Sequence, residues 1–320
     1  MNGAFSSAIE IGLHAVVVAV GEESPLVLTV PSGEGGLAAL PFGPFQPGTH
    51  KTLDEGLRTW VQAQTHLRLG YVEQLYTFGD AGRMSGGSAD ANLVSVGYLA
   101  LVHLPRPTAT AVSGTWETWY RFLPWEDWRE AMPSQLSETI LPALSAWVAR
   151  NPAHVSGSTG LDRQARFNLA FGAGQWDEER VLERYELMYE AGLVQEAVTD
   201  GAVDALSVNT ALGQPMVHDH RRILATALAR LRGKLKYRPI VFELMAEQFT
   251  LTQLQKTVET LSGQTMHKQN FRRMVEKADL VEPTGEASAQ TGGRPAAYFR
   301  FRRAIMRERP APGLRVGMRS

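Results

Sequence analysis

Apolar and polar positions along the first 150 residues alternate between two rhythms. Residues 8–20, Ala-Ile-Glu-Ile-Gly-Leu-His-Ala-Val-Val-Val-Ala-Val, are dense in β-branched side chains and predict a buried strand. Leu26 to Val30 predicts a second strand, and a Gly/Pro-rich loop fills Pro31 to Gly48. From Leu53 to Leu69 the spacing becomes helical, with Leu57, Trp60 and Val61 facing inward and Gly70 as the stop. Strands are expected at Tyr71 to Phe78, Leu93 to Leu104 and Trp116 to Leu123, a loop at Asp80 to Asp90, and a helix at Ser134 to Ala149. Strand, strand, helix, strands, helix predicts a mixed α/β sandwich.

The middle of the chain is helical. Leu161 to Ala197 holds two helix patterns around Gly172-Ala-Gly174. The second, Trp176 to Glu190, carries Glu178, Glu179, Glu183, Glu186 and Glu190, which reads as a solvated face laced with Arg180 and Arg184 rather than a metal site. A further helix starts near Asp219. Its Leu224, Leu228, Leu231 and Leu235 repeat at four, three and four, a short seam that either joins two helices of a dimer or packs within one subunit. His218 and His220, two apart, do not share a helix face and do not form a metal pair.

The last third has a different order. Pro239 to Ala246 is a short apolar helix signal, and Thr250 followed by Gln253 is a capping box opening a second helix that Gly263 closes. A third helix runs from Lys268 to Ala278, with Phe271, Met274, Val275 and Ala278 on the core side and Lys268, Gln269, Asn270, Arg272, Arg273 and Lys277 on the other. A short strand (Leu280 to Glu282), a polar hairpin (Thr284 to Arg294) and a second strand (Ala297 to Arg302) follow. This is the order of a winged helix-turn-helix, whose third helix enters the major groove of DNA. Candidate DNA contacts are Thr250, Gln253, the six outward residues of the third helix, and Arg294 in the wing, placed for a phosphate or an adjacent minor groove.

Charge strengthens that reading. The 320 residues hold 32 Lys and Arg against 33 Asp and Glu, yet the balance is segregated. Residues 217–320 hold 20 basic and 9 acidic residues, a net of +11, and residues 1–216 hold 12 and 24, a net of −12. A basic module carried on an acidic one predicts a polyanionic partner. No apolar run approaches the roughly 18 residues of a membrane span, and the apolar stretch at 11–20 follows Glu10 rather than a positively charged segment. With no cysteine there are no disulfides and no thiolate chemistry, so the chain is expected in the cytoplasm, with no membrane partner.

Several motifs resemble a known family. Glu55, Gly70 and Tyr71, followed by Glu73-Gln-Leu-Tyr-Thr-Phe-Gly-Asp80 and Val94-Ser-Val-Gly-Tyr-Leu-Ala-Leu101, resemble the Nudix fold, and more narrowly the Nudix-related regulators of NAD metabolism of the NrtR type and their relative NadQ. Tyr237-Arg-Pro, Phe249-Thr-Leu-Thr-Gln-Leu-Gln255, Asn270-Phe-Arg-Arg273 and Gly293-Arg-Pro-Ala296 are similar to that family's winged helix. The departure from the Nudix pattern is informative. With Gly70 as its last glycine and Glu55 as its first glutamate, the Arg-Glu-aliphatic element reads Ala63-Gln64-Thr65 and the Glu-Glu pair reads Leu67-Arg68. A hard divalent cation needs several oxygen ligands, so one glutamate beside Arg68 predicts an inactive hydrolase site. Arg68 could instead meet a phosphate directly.

These readings predict an α/β chain: a Nudix-like sensing domain at 1–152, a helical linker and connecting helix at 153–236, a winged helix-turn-helix at 237–305 and a basic tail at 306–320. The resemblance implies a homodimeric repressor of NAD synthesis or salvage genes. Its partners would be double-stranded operator DNA and a nucleotide effector (NAD, ADP-ribose or ATP), with no required cofactor and no metal. Candidate effector contacts are Lys51, Glu55, Arg68, Asp80 and Arg83. The alternative is an active Nudix pyrophosphatase with a basic accessory domain. An RNA-binding adaptor fits the charge but not the order of elements.

Overall fold

The apolar run near the N-terminus becomes the central strand of the first sheet, β1 (Ile9–Val20). The computed structural model describes residues 9–22, 24–33, 35–79, 92–104, 113–155, 160–172, 176–201, 212–288, 295–308 and 313–314. After β1 come β2 (Pro25–Pro31), β3 (Ala38–Ala39), β4 (Phe42–Pro44), α1 (Leu53–Thr65), β5 (Tyr71–Phe78), β6 (Asn92–Leu101) and β7 (Thr115–Thr118). Five helices follow: α2 (Leu141–Arg150), α3 (Arg163–Phe171), α4 (Val181–Glu190), α5 (Gln195–Thr199) and α6 (His220–Tyr237). The chain then forms β8 (Phe249–Thr250), α7 (Leu251–Ser262), α8 (Lys268–Ala278), β9 (Val281–Ser288), β10 (Ala296–Phe301) and α9 (Ile305–Glu308).

The first sheet has the order β3-β2-β1-β6-β5, with β4 also pairing β1 and β7 pairing β2. β1 and β6 run parallel in register from Ile9 opposite Asn92 to Val18 opposite Leu101, and the other pairs are antiparallel. Successive strand residues point to opposite faces. Leu13, Ala15, Val17 and Ala19 therefore pack with Leu57 and Val61 of α1 on one face. Val16 and Val18 turn to the other, where Leu224 and Leu228 of α6, Tyr185 of α4 and Leu144 of α2 share a continuous core. A strand covered on both faces has no polar alternation to keep, which is why β1 from Ile11 to Val20 is apolar apart from His14. Gly97 in β6 lets α6 lie close, since an added Cβ would stand 3.1 Å from Ile223 Cγ2.

The expected sandwich is present, with local corrections. Helix α1 stops at Thr65 rather than at Gly70: Thr65 Oγ1 donates back to the Val61 carbonyl (2.6 Å) and His66 takes the left-handed conformation (φ 59°). The stretch expected as one strand at 116–123 gives only β7, then 3₁₀ turns at Trp119–Arg121 and Pro124–Glu126. Pro239 to Ala246 likewise yields a 3₁₀ turn at Ile240–Leu244. The helix expected at 134–149 begins with a wide π turn, Leu136–Ile140, just ahead of Pro142, which has no N–H to contribute.

The acidic segment is not a solvated face. Arg180 does pair with Asp177 and Glu183 at partial exposure, but Arg184 is fully buried and Glu178 is nearly so. Glu186 pairs with Arg222, Glu190 with Arg166, and Glu178 and Glu179 with Lys236. The glutamates thus face cations of α3 and α6 across packed surfaces, and local charge spacing could not show partners so distant in sequence. The leucine seam of α6 packs within the subunit: Leu224, Leu228, Leu231 and Leu235 are all buried in the chain's own core.

Candidate DNA-binding face and nucleotide-sensing domain

The second, smaller sheet, β8-β10-β9, backs a helix-turn-helix made by α7 and α8. Thr250 opens α7 with the full capping box: its Oγ1 accepts from the Gln253 N–H (3.2 Å) and Gln253 Oε1 accepts from the Thr250 N–H (2.8 Å). The side chain of Thr250, 9% exposed, is thereby committed to the helix end, and the carbonyl end of Gln253 with it. Both were candidate DNA contacts, and in the structure both are engaged as caps. Gly263 closes α7 at φ 75°. The turn is then tied down by Gln255 Nε2 donating to the Met266 carbonyl (2.8 Å) and by the Met266 N–H donating to Glu259 Oε1 (2.7 Å).

Helix α8 has the two faces its sequence predicts. Phe271 and Val275 are buried against the rest of the domain, with Met274 and Ala278 partly so. Lys268, Gln269, Asn270, Arg272, Arg273 and Lys277 are all exposed. Arg273 Nη2 donates to Asn270 Oδ1 (2.9 Å), which links two potential base-reading groups one turn apart. His267, the exposed N-cap residue, makes no side-chain capping bond. At the base of the wing, Arg300 pairs with Glu282 (2.7 Å) and Arg302 with Asp279 (2.7 Å), while the outer part of the hairpin, with Arg294, lies outside the described residues.

Glu55 and Gln64, which the sequence sets against the Nudix metal motif, are held by local hydrogen bonds. Glu55 Oε2 accepts from the Lys51 N–H (2.8 Å), and the Glu55 N–H donates to Thr52 Oγ1 (3.1 Å), so this carboxylate caps α1. Gln64 holds the chain before β4, its amide bonding both the N–H and the carbonyl of Phe42 (3.1 and 2.8 Å). Leu67 and Arg68 lie beyond the end of α1, and Arg68 is exposed. From Glu55 to Thr65 the helix alone rises about 15 Å, at about 1.5 Å per residue, so Lys51 and Glu55 form one group and Arg68 stands apart from it. Asp80 and Arg83 lie outside the described residues. Among the described residues, no group of three or more His, Asp or Glu side chains could hold a metal ion.

A buried polar chain that the sequence did not point to crosses the same domain. The Leu40 N–H donates to His220 Nδ1 (2.9 Å), which puts the His220 proton on Nε2 and directs it to His14 Nδ1 (3.0 Å). His14 Nε2–H then donates to Ser95 Oγ (2.8 Å). His14 therefore offers Ser95 a donor, not a base, and the chain is structural. Burial, aided by the neighbouring His218, lowers the His14 pKa to about 3, and burial with both other histidines holds His220 well below its usual range.

Two clefts accompany these sites. One, of about 1160 Å³, lies between β5, the end of α6 and the β10 side of the winged helix, and includes Tyr71, Lys234, Phe242 and Arg303. The other, of about 1170 Å³, lies between β5, α4 and α6 and includes Tyr76, Glu183 and Arg222. Neither is lined by Lys51, Glu55 or Arg68.

Residues 241–301 match the model of the NrtR DNA-binding winged helix domain. This part of the chain is similar to the NrtR winged helix. A curated relative, the ADPR responsive transcriptional repressor NtrR of Acinetobacter baylyi, is 35% identical over 96 residues, covering 30% of this chain and 38% of that protein's length. Along nearly its whole length the chain has the fold of Shewanella oneidensis NrtR in its crystal structure with a 27mer DNA: TM-score 0.53, 20% identity, covering 91% of this chain and 93% of the other. A MutT/nudix family protein from Enterococcus faecalis is similar at TM-score 0.52 and 14% identity, covering 92% of this chain and 86% of that one. The fold is a Nudix-like domain followed by a C-terminal winged helix. Among the described residues no helix is long and apolar enough to cross a membrane.

Proposed function

We propose that this chain is a transcriptional repressor that binds operator DNA through its winged helix and senses ADP-ribose, or a closely related nucleotide, through its Nudix-like domain. The observation that carries the reading is the outward face of α8: six polar or cationic residues, all exposed, on a helix whose apolar face is locked into a winged helix similar to that of NrtR. Such a helix fits the major groove, with its guanidinium groups able to meet guanine edges and its lysines the phosphates. The effector assignment draws on the name of the Acinetobacter relative. Lys51, Glu55, Arg68, Asp80 and Arg83 remain the candidate effector contacts.

The repressor is proposed to act as a cytoplasmic homodimer, because two-fold operators place half-sites about one helical turn apart, roughly 34–36 Å, and one α8 reaches only one of them. Its targets would be genes of NAD synthesis or salvage. The sensing unit is proposed to comprise residues 1–236 rather than 1–152, since α4 and α6 complete its core. We take it to be a regulator rather than a pyrophosphatase: Glu55 and Gln64 are engaged in caps and straps, and Arg68 would repel a divalent cation.

The test is fluorescence anisotropy of purified protein on duplexes from upstream of its own gene and of NAD-synthesis genes, at several salt concentrations, with and without ADP-ribose. Expected are one saturable high-affinity duplex, a linear loss of log affinity with log salt, and a shift on adding ADP-ribose. Equal weak affinity for every duplex would reject the repressor reading.

A further inference from the structure

The turn between α7 and α8 is not free in solvent; it is seated on the Nudix-like domain by a fully buried charge cluster. Glu126, in the 3₁₀ turn after β7, has no exposed side-chain surface, and neither do Arg184 of α4 and Arg232 of α6. The Glu126 carboxylate accepts from Arg184 Nε (2.7 Å) and Nη2 (2.9 Å) and from Arg232 Nη1 (2.6 Å), and the Glu126 carbonyl accepts from Arg232 Nη2 (2.9 Å). One carboxylate thus faces two guanidinium groups. The surplus positive charge meets backbone carbonyls: Ala170 and Asp177 for Arg184, Glu178 and Leu261 for Arg232.

Leu261 is the link to the winged helix. The last carbonyls of a helix lack intrahelical partners and carry its negative end. At the end of α7 they are taken up by groups from outside the winged helix. Arg232 Nε donates to the Leu261 carbonyl (3.1 Å), Tyr120 Oη to that of Thr260 (3.1 Å), and the Trp128 N–H to that of Gly263 (2.8 Å). The approach is close: a Cβ on Gly263 would lie 2.6 Å from the Glu126 carbonyl and 2.7 Å from Arg232 Nη2.

We propose that Arg232, held by Glu126, is a positioning residue that fixes the direction of α8 relative to the Nudix-like domain, so that a change in the sensing domain is passed to the DNA-reading helix. This deepens the regulator reading and rests on it. Arg232 acts through the end of α7, not by touching DNA or effector. A fork-shaped guanidinium is needed to hold Leu261 and both oxygen types of Glu126 at once, whereas an ammonium can keep the charge pair alone.

Three variants separate positioning from general stability. Arg232→Lys keeps the buried charge but drops the contact to Leu261. Tyr120→Phe removes one hydrogen bond to Thr260 and no charge. Arg184→Lys disturbs the same carboxylate, while its other partners, the Ala170 and Asp177 carbonyls, lie outside the winged helix. DNA affinity is measured by anisotropy with and without saturating ADP-ribose, ADP-ribose binding by calorimetry, and unfolding by tryptophan fluorescence and circular dichroism. All seven tryptophans precede residue 177, so fluorescence reports the sensing part and dichroism the whole chain.

Coupling between sites is commonly about 5- to 150-fold, and in Arg232→Lys it is expected to fall to within about twofold of no effect, with ADP-ribose affinity kept. Tyr120→Phe should reduce it partway, and Arg184→Lys should retain the parent value despite a lower Tm. The two melting curves should coincide in the parent and separate in Arg232→Lys. The proposal is overturned if Arg232→Lys keeps the parent's coupling, or if Arg184→Lys loses as much. If ADP-ribose leaves the parent's DNA affinity unchanged, the effector assignment fails instead, and coincident melting curves in Arg232→Lys would then overturn the positioning role.

Discussion

His14 Nδ1 accepts a hydrogen bond from His220 Nε2 at 3.0 Å, joining the central strand of the Nudix-like sheet to the first residue of α6. The bond requires both rings neutral, because a second proton would set two donors face to face with no water to separate them. His218 approaches from the same side, its ring 5.9 Å from that of His220, and Ser95 and the Leu40 N–H close the remaining positions.

Stability should therefore fall on mild acidification. The His14 pKa is about 3 in the folded protein against 6.5 for a free side chain, and that of His220 is lowered in the same direction. Between these values the unfolded chain binds protons that the folded one refuses. The contribution is fully present above pH 6.5 and is lost as pH falls toward 3, at about 1.4 kcal/mol per pH unit for each histidine. His220→Asn, whose Oδ1 takes the place of Nδ1 and can still accept from Leu40, should flatten the dependence of denaturation free energy on pH between about 6 and 4. An unchanged slope would refute the assignment.

On α8, Arg272→Ala and Arg273→Ala should weaken operator binding by about 1–3 kcal/mol if the lost contact is to a base edge, with relaxed specificity at that position. Both side chains are exposed and off the Phe271–Val275 face, so the free energy of unfolding should stay within about 0.5 kcal/mol of the parent's. Lys277→Ala should instead weaken all sequences alike and flatten the salt slope. Unaltered affinity in both arginine variants would move the reading face elsewhere.

Thr250→Ala removes one half of the capping box and should cost about 0.5–2 kcal/mol of stability. Gly263→Ala should cost more, since it combines φ 75° with a Cβ 2.6 Å from the Glu126 carbonyl. Urea denaturation of the two variants side by side checks the order; a milder effect at Gly263 would mean that this contact yields easily.

The parent protein should show no Mg²⁺-dependent cleavage of ADP-ribose, and its nucleotide binding should survive EDTA. Adding carboxylates by Leu67→Glu with Arg68→Glu should not create activity, because these positions lie past the left-handed turn at His66 and off the helix that carries Glu55. Robust hydrolysis by the parent, abolished in Glu55→Gln, would move the chain to the enzymes.

What was legible in the sequence was what short-range spacing decides. Thr250 with Gln253 gave a cap found atom for atom, and the alternation of Phe271 and Val275 with Arg272 and Arg273 gave the two faces of α8. Arg184, assigned to solvent by its acidic neighbours, was misplaced because its partner Glu126 is 58 residues away. Arg232 lies 106 residues from the same carboxylate. One signal was available: Arg221 and Arg232, eleven residues apart, fall within about 20° of each other around α6 at 100° per residue, along the edge of the leucine stripe. The end of α1 was misread because Gly70 is a stronger stop signal than a histidine, yet the back-bonded Thr65 ended the helix first.

Because the sheet is closed on one face by α6, the order in which the ribosome delivers the chain matters. Val16, Val18 and Leu99 are made early, but Leu224 and Leu228, which cover them, belong to a helix that is complete only at Tyr237. From residue 150 to residue 237 at about 5–20 residues per second, a nascent chain waits roughly 4 to 17 seconds with that apolar face incompletely covered. A chaperone that holds extended apolar chains would find its target in this interval. The winged helix, emerging after α6, meets a surface already assembled around Glu126 and docks onto a finished platform.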